Sequence, residues 1–132
     1  MRILIVEDDF ISRKVLQKML APYGECDFAV NGLEALEAYK MAISEKKPYH
    51  LICLDIMMPG MDGQQVLKCI RQQEMDMCVK PSDEVKIIMT TALDSPRDVV
   101  EAYYRGGCTS YLVKPIDKTK LVSLMQEFGL VK

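Results

Sequence analysis

Several short apolar runs in this chain of 132 residues stop abruptly on side chains able to do chemistry. Ile3 to Val6 stops on Glu7, Asp8 and Asp9, Leu51 to Leu54 on Asp55, Val85 to Met89 on Thr90 and Thr91, and Tyr111 to Val113 on Lys114. A carboxylate closing a buried run is desolvated by its neighbours, so it is neutral with a raised pKa, paired, or bound to a cation. Carboxylates within about 4 to 6 Å of one another cannot all ionise cheaply, and a divalent cation relieves that repulsion. An oxygen-only, acid-rich set without His or Cys suits a hard cation such as Mg²⁺, which keeps open positions and shares them with a phosphate. Lys114 supplies a point charge and a threonine hydroxyl a donor for phosphoryl oxygens, while Asp55 at the centre can act as the nucleophile. The set reads as phosphoryl transfer onto a carboxylate.

Asp8, Asp55, Thr91 and Lys114 lie 47, 36 and 23 residues apart in order, so only tertiary structure can gather them. The runs are continuous rather than alternating, which predicts strands covered on both faces, as in a parallel sheet. Between them the period becomes helical. Ile11, Val15, Leu16, Met19 and Leu20 mark a first helix, with Asp9 as N-cap and Pro22 and Gly24 as the stop. Cys26 to Val30 is a second strand, interrupted by Asp27 in a way that suits an edge, and it ends in Asn31-Gly32 without a comparable acid or base. Leu33, Leu36, Tyr39 and Ile43 mark the second helix. Val66, Leu67 and Ile70 mark the third, from Gly63 with Asp62 as cap, and residues 72 to 84 read as a long connection. A fourth helix is expected from Pro96 and a fifth from Asp117, closed by Gly129. Five strands alternating with five helices predict right-handed βαβ crossovers, and in such sheets the chemistry sits beyond the carboxyl ends of the strands.

With 49% apolar and 27% charged residues and a formal charge of −2, the composition is that of one ordinary globular domain spanning 1–132. The bases are scattered, which leaves no footprint for nucleic acid or an anionic membrane. No apolar stretch approaches the roughly 20 residues that span a bilayer. Five cysteines with no paired spacing argue against zinc and redox motifs. Cys26, Cys53 and Cys69 are expected in the core, and the setting is expected to be reducing and cytoplasmic. His50, the single histidine, precedes the third strand, so a surface or structural role at the end opposite Asp55 is expected.

Five stretches, in order, resemble the receiver domain of two-component response regulators. They are Ile-Leu-Ile-Val-Glu-Asp-Asp at 3 to 9, Asn-Gly-Leu-Glu-Ala-Leu at 31 to 36, Leu-Asp-Ile-Met-Met-Pro-Gly-Met-Asp-Gly at 54 to 63, Thr-Ala at 91 to 92 and Tyr-Leu-Val-Lys-Pro at 111 to 115. The resemblance implies a flavodoxin-like (βα)5 α/β sandwich with strand order 2-1-3-4-5. It implies that Asp55 accepts a phosphoryl group from a phosphohistidine on a histidine kinase or phosphotransfer protein. It further implies a Mg²⁺ site made by Asp8 directly, Glu7 through water, Asp55 and the Met57 carbonyl. Thr91 matches the switch hydroxyl, Lys114 the phosphate-binding lysine, Tyr111 the aromatic position that turns with the hydroxyl, and the Lys114–Pro115 bond is expected cis. The face of the fourth helix, fifth strand and fifth helix would then change shape and control a downstream protein. The expected protein is no enzyme beyond its own phosphorylation and slow dephosphorylation, with apolar Met57 and Leu93 shielding the phosphoryl group. Because the chain stops soon after the fifth predicted helix, a stand-alone receiver is expected.

Other functions fit less well. An aspartyl-phosphate phosphohydrolase typically places a second aspartate where Met57 stands, and a flavin protein of this fold would not follow its first strand with three acids. A vestigial, phosphorylation-independent interaction module is disfavoured by the complete set of acids, hydroxyl and lysine.

Overall fold

The computed structural model describes residues 1–91 and 107–132. The helix expected from Pro96, with Tyr103 and Tyr104, and the position of Leu93 lie outside the described residues. The elements in order are β1 (Arg2–Val6), α1 (Phe10–Leu20), β2 (Glu25–Ala29), α2 (Gly32–Ser44), β3 (Leu51–Asp55), α3 (Gly63–Asp76), β4 (Lys86–Thr91), β5 (Ser110–Val113) and α4 (Lys118–Glu127), the last being the fifth predicted helix. The strands form one parallel sheet in the order β2-β1-β3-β4-β5. This is the flavodoxin-like arrangement.

Both faces of the sheet are buried, which is why its strands read as unbroken apolar runs. Leu4, Val6, Ile52, Leu54, Ile87 and Met89 point to the side covered by α2 and α3. Ile3, Ile5, Leu51, Cys53 and Ile88 point to the side covered by α1 and α4. Asp27 confirms β2 as an edge: on this strand its carboxylate accepts from Arg2 at 2.8 Å and from the Tyr49 hydroxyl at 2.7 Å.

Each described α-helix starts on a side-chain cap that supplies acceptors for otherwise unpaired N–H groups. Asp9 accepts from Ser12 N at 2.8 Å and starts α1, as expected. Asn31 accepts from Glu34 N at 2.9 Å while Glu34 accepts from Val30 N at 3.0 Å, a two-way brace at the start of α2. Asp62 and Gln65 form a capping box on α3. At their other ends α2 and α3 close through Lys46 and Cys78, both with left-handed φ of 59° and 58°. The bonds Lys47 N to Ala42 O and Val79 N to Glu74 O complete the two closures.

The sequence reading differs from the structure in a few places. Residues 72 to 76 belong to α3 rather than to a connection. Gln72 and Asp76 lie on the solvated face, where Gln72 donates to Asp76 one turn on at 3.0 Å, Glu74 turns inward, and no glycine or proline interrupts before the turn at Cys78. Thr90 and Thr91 are the last residues of β4 itself. Cys69 is exposed, because it falls on the flank of α3 away from Val66, Leu67 and Ile70, whereas Cys108 is buried. Cys53 is fully interior, and burial pushes its thiol up to about 12, which leaves it unreactive. Among the described residues no helix is long and apolar enough to cross a membrane.

Candidate functional site

The register of the sheet decides what meets at its carboxyl edge. Val6 pairs with Leu54, so Glu7 and Asp55 come side by side as each strand ends. Asp55 pairs with Thr90, and Thr91 with Val113, which places Thr91 beside the approach to Lys114. Lys114 N then donates to Thr91 O at 2.7 Å, and the Lys114–Pro115 peptide is cis.

Glu7, Asp8 and Asp55 present carboxylate oxygens that lie within 4.8 Å of one another. Mg–O bonds of about 2.1 Å nearly cover that span, so the oxygen-only donor set fits a hard divalent cation. Glu7 and Asp55 are buried and Asp8 is exposed, which leaves one side of the cluster open to solvent. Lys114 Nζ lies 2.8 Å and 3.0 Å from the two Glu7 oxygens and 3.4 Å from Asp55 Oδ2. Burial first, and then the Asp55 carboxylate, hold Glu7 up to about 7 against the opposing pull of Lys114. Partial burial pulls Lys114 down, but its contacts with Glu7 and Asp55 outweigh this and leave it raised. The ammonium thus stays charged and takes up part of the acid excess.

The other Asp55 oxygen, Oδ1, accepts from Met57 N at 3.1 Å. The Met57 side chain is 68% exposed, whereas Met58 packs into the core. Thr91 is buried at the strand end and Tyr111 is half-buried against the α2–α3 side of the core. His50 sits exposed at the far end of the sheet, where its Nδ1 accepts from Arg2 N at 3.0 Å.

Two kinds of supporting residue escape the sequence reading. Arg13 Nη1 donates to Glu7 O at 3.0 Å and steadies the acidic turn from α1, a contact with no signature in a helix of mixed bases. Gly63 begins α3 pressed on the acceptor strand: a Cβ there would meet Asp55 O at 2.2 Å and Ile56 Cα at 2.8 Å. A glycine directly behind a helix cap is the available sequence signal, since it is a poor helix former unless space demands it.

With this geometry in view, residues 3–126 match the model of the response regulator receiver domain, and the chain belongs to that family of two-component signalling. It is 34% identical over 94% of its length to a probable transcriptional regulator, ycf29, of Porphyra purpurea, and covers 54% of that protein. The chain thus spans about half the length of that relative. Among solved structures it resembles the receiver domain of Ssk1 from Saccharomyces cerevisiae, crystallised with the histidine phosphotransfer protein Ypd1, at 30% identity and a TM-score of 0.81, covering 98% of this chain and 88% of that one. It also resembles the response regulator TrrA of Thermotoga maritima in complex with Mg²⁺ and BeF, at 31% identity and a TM-score of 0.75, covering 96% and 97%.

Proposed function

We propose that this chain is a phosphorylation-operated switch that accepts a phosphoryl group on Asp55 from a phosphohistidine of a histidine kinase or phosphotransfer protein. The observation that carries the reading is the convergence of the Glu7, Asp8 and Asp55 carboxylates at one open edge of the sheet, with the Lys114 ammonium against Glu7 and Asp55. The likeness to a receiver crystallised with a phosphotransfer protein, and to one holding Mg²⁺ and BeF, supports the partner and the metal.

In this reading an Asp55 oxygen attacks phosphorus, the P–N bond breaks, and its electron pair returns to the donor imidazole. The Met57 N–H fixes the orientation of the carboxylate by holding Oδ1. Asp8, Asp55, the Met57 carbonyl and, through water, Glu7 would hold Mg²⁺, which would supply charge neutralisation for the phosphoryl oxygens. Lys114 exchanges part of its contact with Glu7 for a phosphoryl oxygen, and the Thr91 hydroxyl donates to another. Phe10, Ile11 and Val15 expose apolar surface beside the acidic turn, on a helix with three bases and no acid, which suits a donor protein with an acid-rimmed apolar face.

The acyl phosphate carries about −1.5 to −2 charges where the carboxylate carried a single one. Thr91 and Lys114 move toward it, Tyr111 turns inward, and the face around β5 and α4 changes. A downstream protein is controlled only to the extent that it binds one shape better than the other. The deciding experiment is incubation with a small acyl or amido phosphate donor and Mg²⁺, followed by intact mass measurement of the parent and of Asp55→Asn. The parent is expected to gain one phosphoryl mass and the variant none; an unmodified parent would mean that the site is vestigial.

A further inference from the structure

The loop carrying Met57 is pinned at its ends, since Ile56 N donates to Thr90 O at 2.9 Å and Gly63 N to Ile56 O at 2.9 Å. Between these pins it touches the rest of the molecule unevenly. Gly60, at φ 75°, has nothing within 4 Å of where a Cβ would stand. An open groove of about 480 Å³ runs between the loop, at Pro59, Gly60 and Met61, and the start of α2, at Asn31, Gly32 and Leu33. On the inner side, Gly32 at the start of α2 is in close contact: a Cβ on it would meet Met61 Cβ, Met61 O and Val66 Cγ2, each at 2.9 Å. We propose that Gly32 is a positioning residue for the acceptor site, its bare backbone letting α2 brace the loop at Met61 and so fixing the Met57 N–H and carbonyl beside Asp55.

The direction of failure follows from what surrounds the contact. Contacts of 2.9 Å lie well inside ordinary packing, so any side chain at 32 forces something to move. The start of α2 is braced by the two-way bonds among Val30, Asn31 and Glu34, and Val66 is a fully buried part of α3. The loop tip at Gly60 stands in open space, so the loop is the part that yields. With both ends pinned only a few residues away, an outward step at Met61 is passed back to Met57, lengthening its contact with Asp55 Oδ1. Gly32 touches no reacting atom and acts only through the loop.

The inference rests on the reading of Asp55 and Met57 given above, and its test is separable from that reading. In metal-free protein, Gly32→Ala is expected to shift the amide resonance of Met57 and, on titration with Mg²⁺, to weaken binding about tenfold, as loss of a supporting contact around a metal site does. Asn31→Ala removes the cap of the same helix without pushing the loop; it should lower the melting temperature and leave the Met57 amide in place. Met61→Gly takes away the other half of the brace, and should move the Met57 amide even if Gly32→Ala fails to fold. An unmoved Met57 amide in Gly32→Ala, or in Met61→Gly should the former not fold, overturns the proposal, as does an equal shift in Asn31→Ala. If the parent takes no phosphoryl group while the amide shifts as expected, the brace stands and the functional reading falls.

Discussion

At the carboxyl ends of the strands, Glu7 and Asp55 lie against the Lys114 ammonium, and the exposed Asp8 brings a third carboxylate to them. At the amino ends, on α3, the buried Glu74 is matched in full: Oε1 takes Arg71 Nη1 at 2.5 Å and Oε2 takes Val85 N at 2.8 Å. Arg71 also donates from Nε to Gly107 O at 2.9 Å, so this pair ties the start of β4 to the approach to β5. Both clusters are buried and ionic, yet one is balanced and the other holds more acid than base. A balanced pair serves architecture. An unbalanced one favours whatever adds positive charge or removes negative charge, whether a proton or a cation.

The sharpest way to break this contrast is Glu74→Ala. It leaves the Arg71 guanidinium and the Val85 N–H without their buried partner, and we expect a loss of about 3 to 5 kcal/mol in chemical denaturation. A loss within about 1 kcal/mol would mean that the amino-end pair is as dispensable as a surface bridge.

Smaller but more specific is the pH dependence of Mg²⁺ binding. With Glu7 held up to about 7, binding requires loss of its proton, so affinity should rise about tenfold between about pH 6 and 8 in calorimetry, with proton release at the lower pH. The same shift acts on folding. Because the folded pKa exceeds the ordinary value of 4.5, the contribution of Glu7 to metal-free stability is present below about 4.5 and is lost as pH rises through about 7. Glu7→Gln should flatten that part of the stability profile.

Asp55→Asn tests the acid excess directly. Removing one of the crowded charges should stabilise the metal-free protein by about 1 kcal/mol, opposite in sign to Glu74→Ala, while abolishing the phosphoryl adduct. The smallest effect concerns the amino-end closures. Lys46→Gly, or Cys78→Gly, relieves a left-handed non-glycine residue and should raise the unfolding midpoint by the equivalent of about 0.5 to 1 kcal/mol, with no change in Mg²⁺ binding.

The carboxyl-end cluster was more legible in the sequence than the amino-end one, for a physical reason. Glu7, Asp55 and Lys114 each interrupt an apolar run, so the strand pattern itself points at them, and parallel topology then brings them together. Glu74 sits in the polar stretch from 72 that reads as a connection, with Arg71 just before it, and nothing local tells a buried glutamate from a solvated one. Cys69 went wrong in the same way, since a run of apolar neighbours does not fix which side of a helix a residue takes. Gly32 and Arg13 act through contacts with residues distant in sequence or through backbone atoms, and these leave no periodicity to read.

The strand order carries one more consequence. Leaving β1 the chain crosses to the side of α1, and leaving neighbouring β3 it crosses to the opposite side with α3. Two connections parting over adjacent strands open a crevice between them whatever side chains they bear. Connectivity thus creates the vacancy before any acid is placed in it, and Glu7, Asp8 and Asp55 are its tenants rather than its builders. Strand-end residues can therefore be exchanged for a different chemistry while the crevice itself persists.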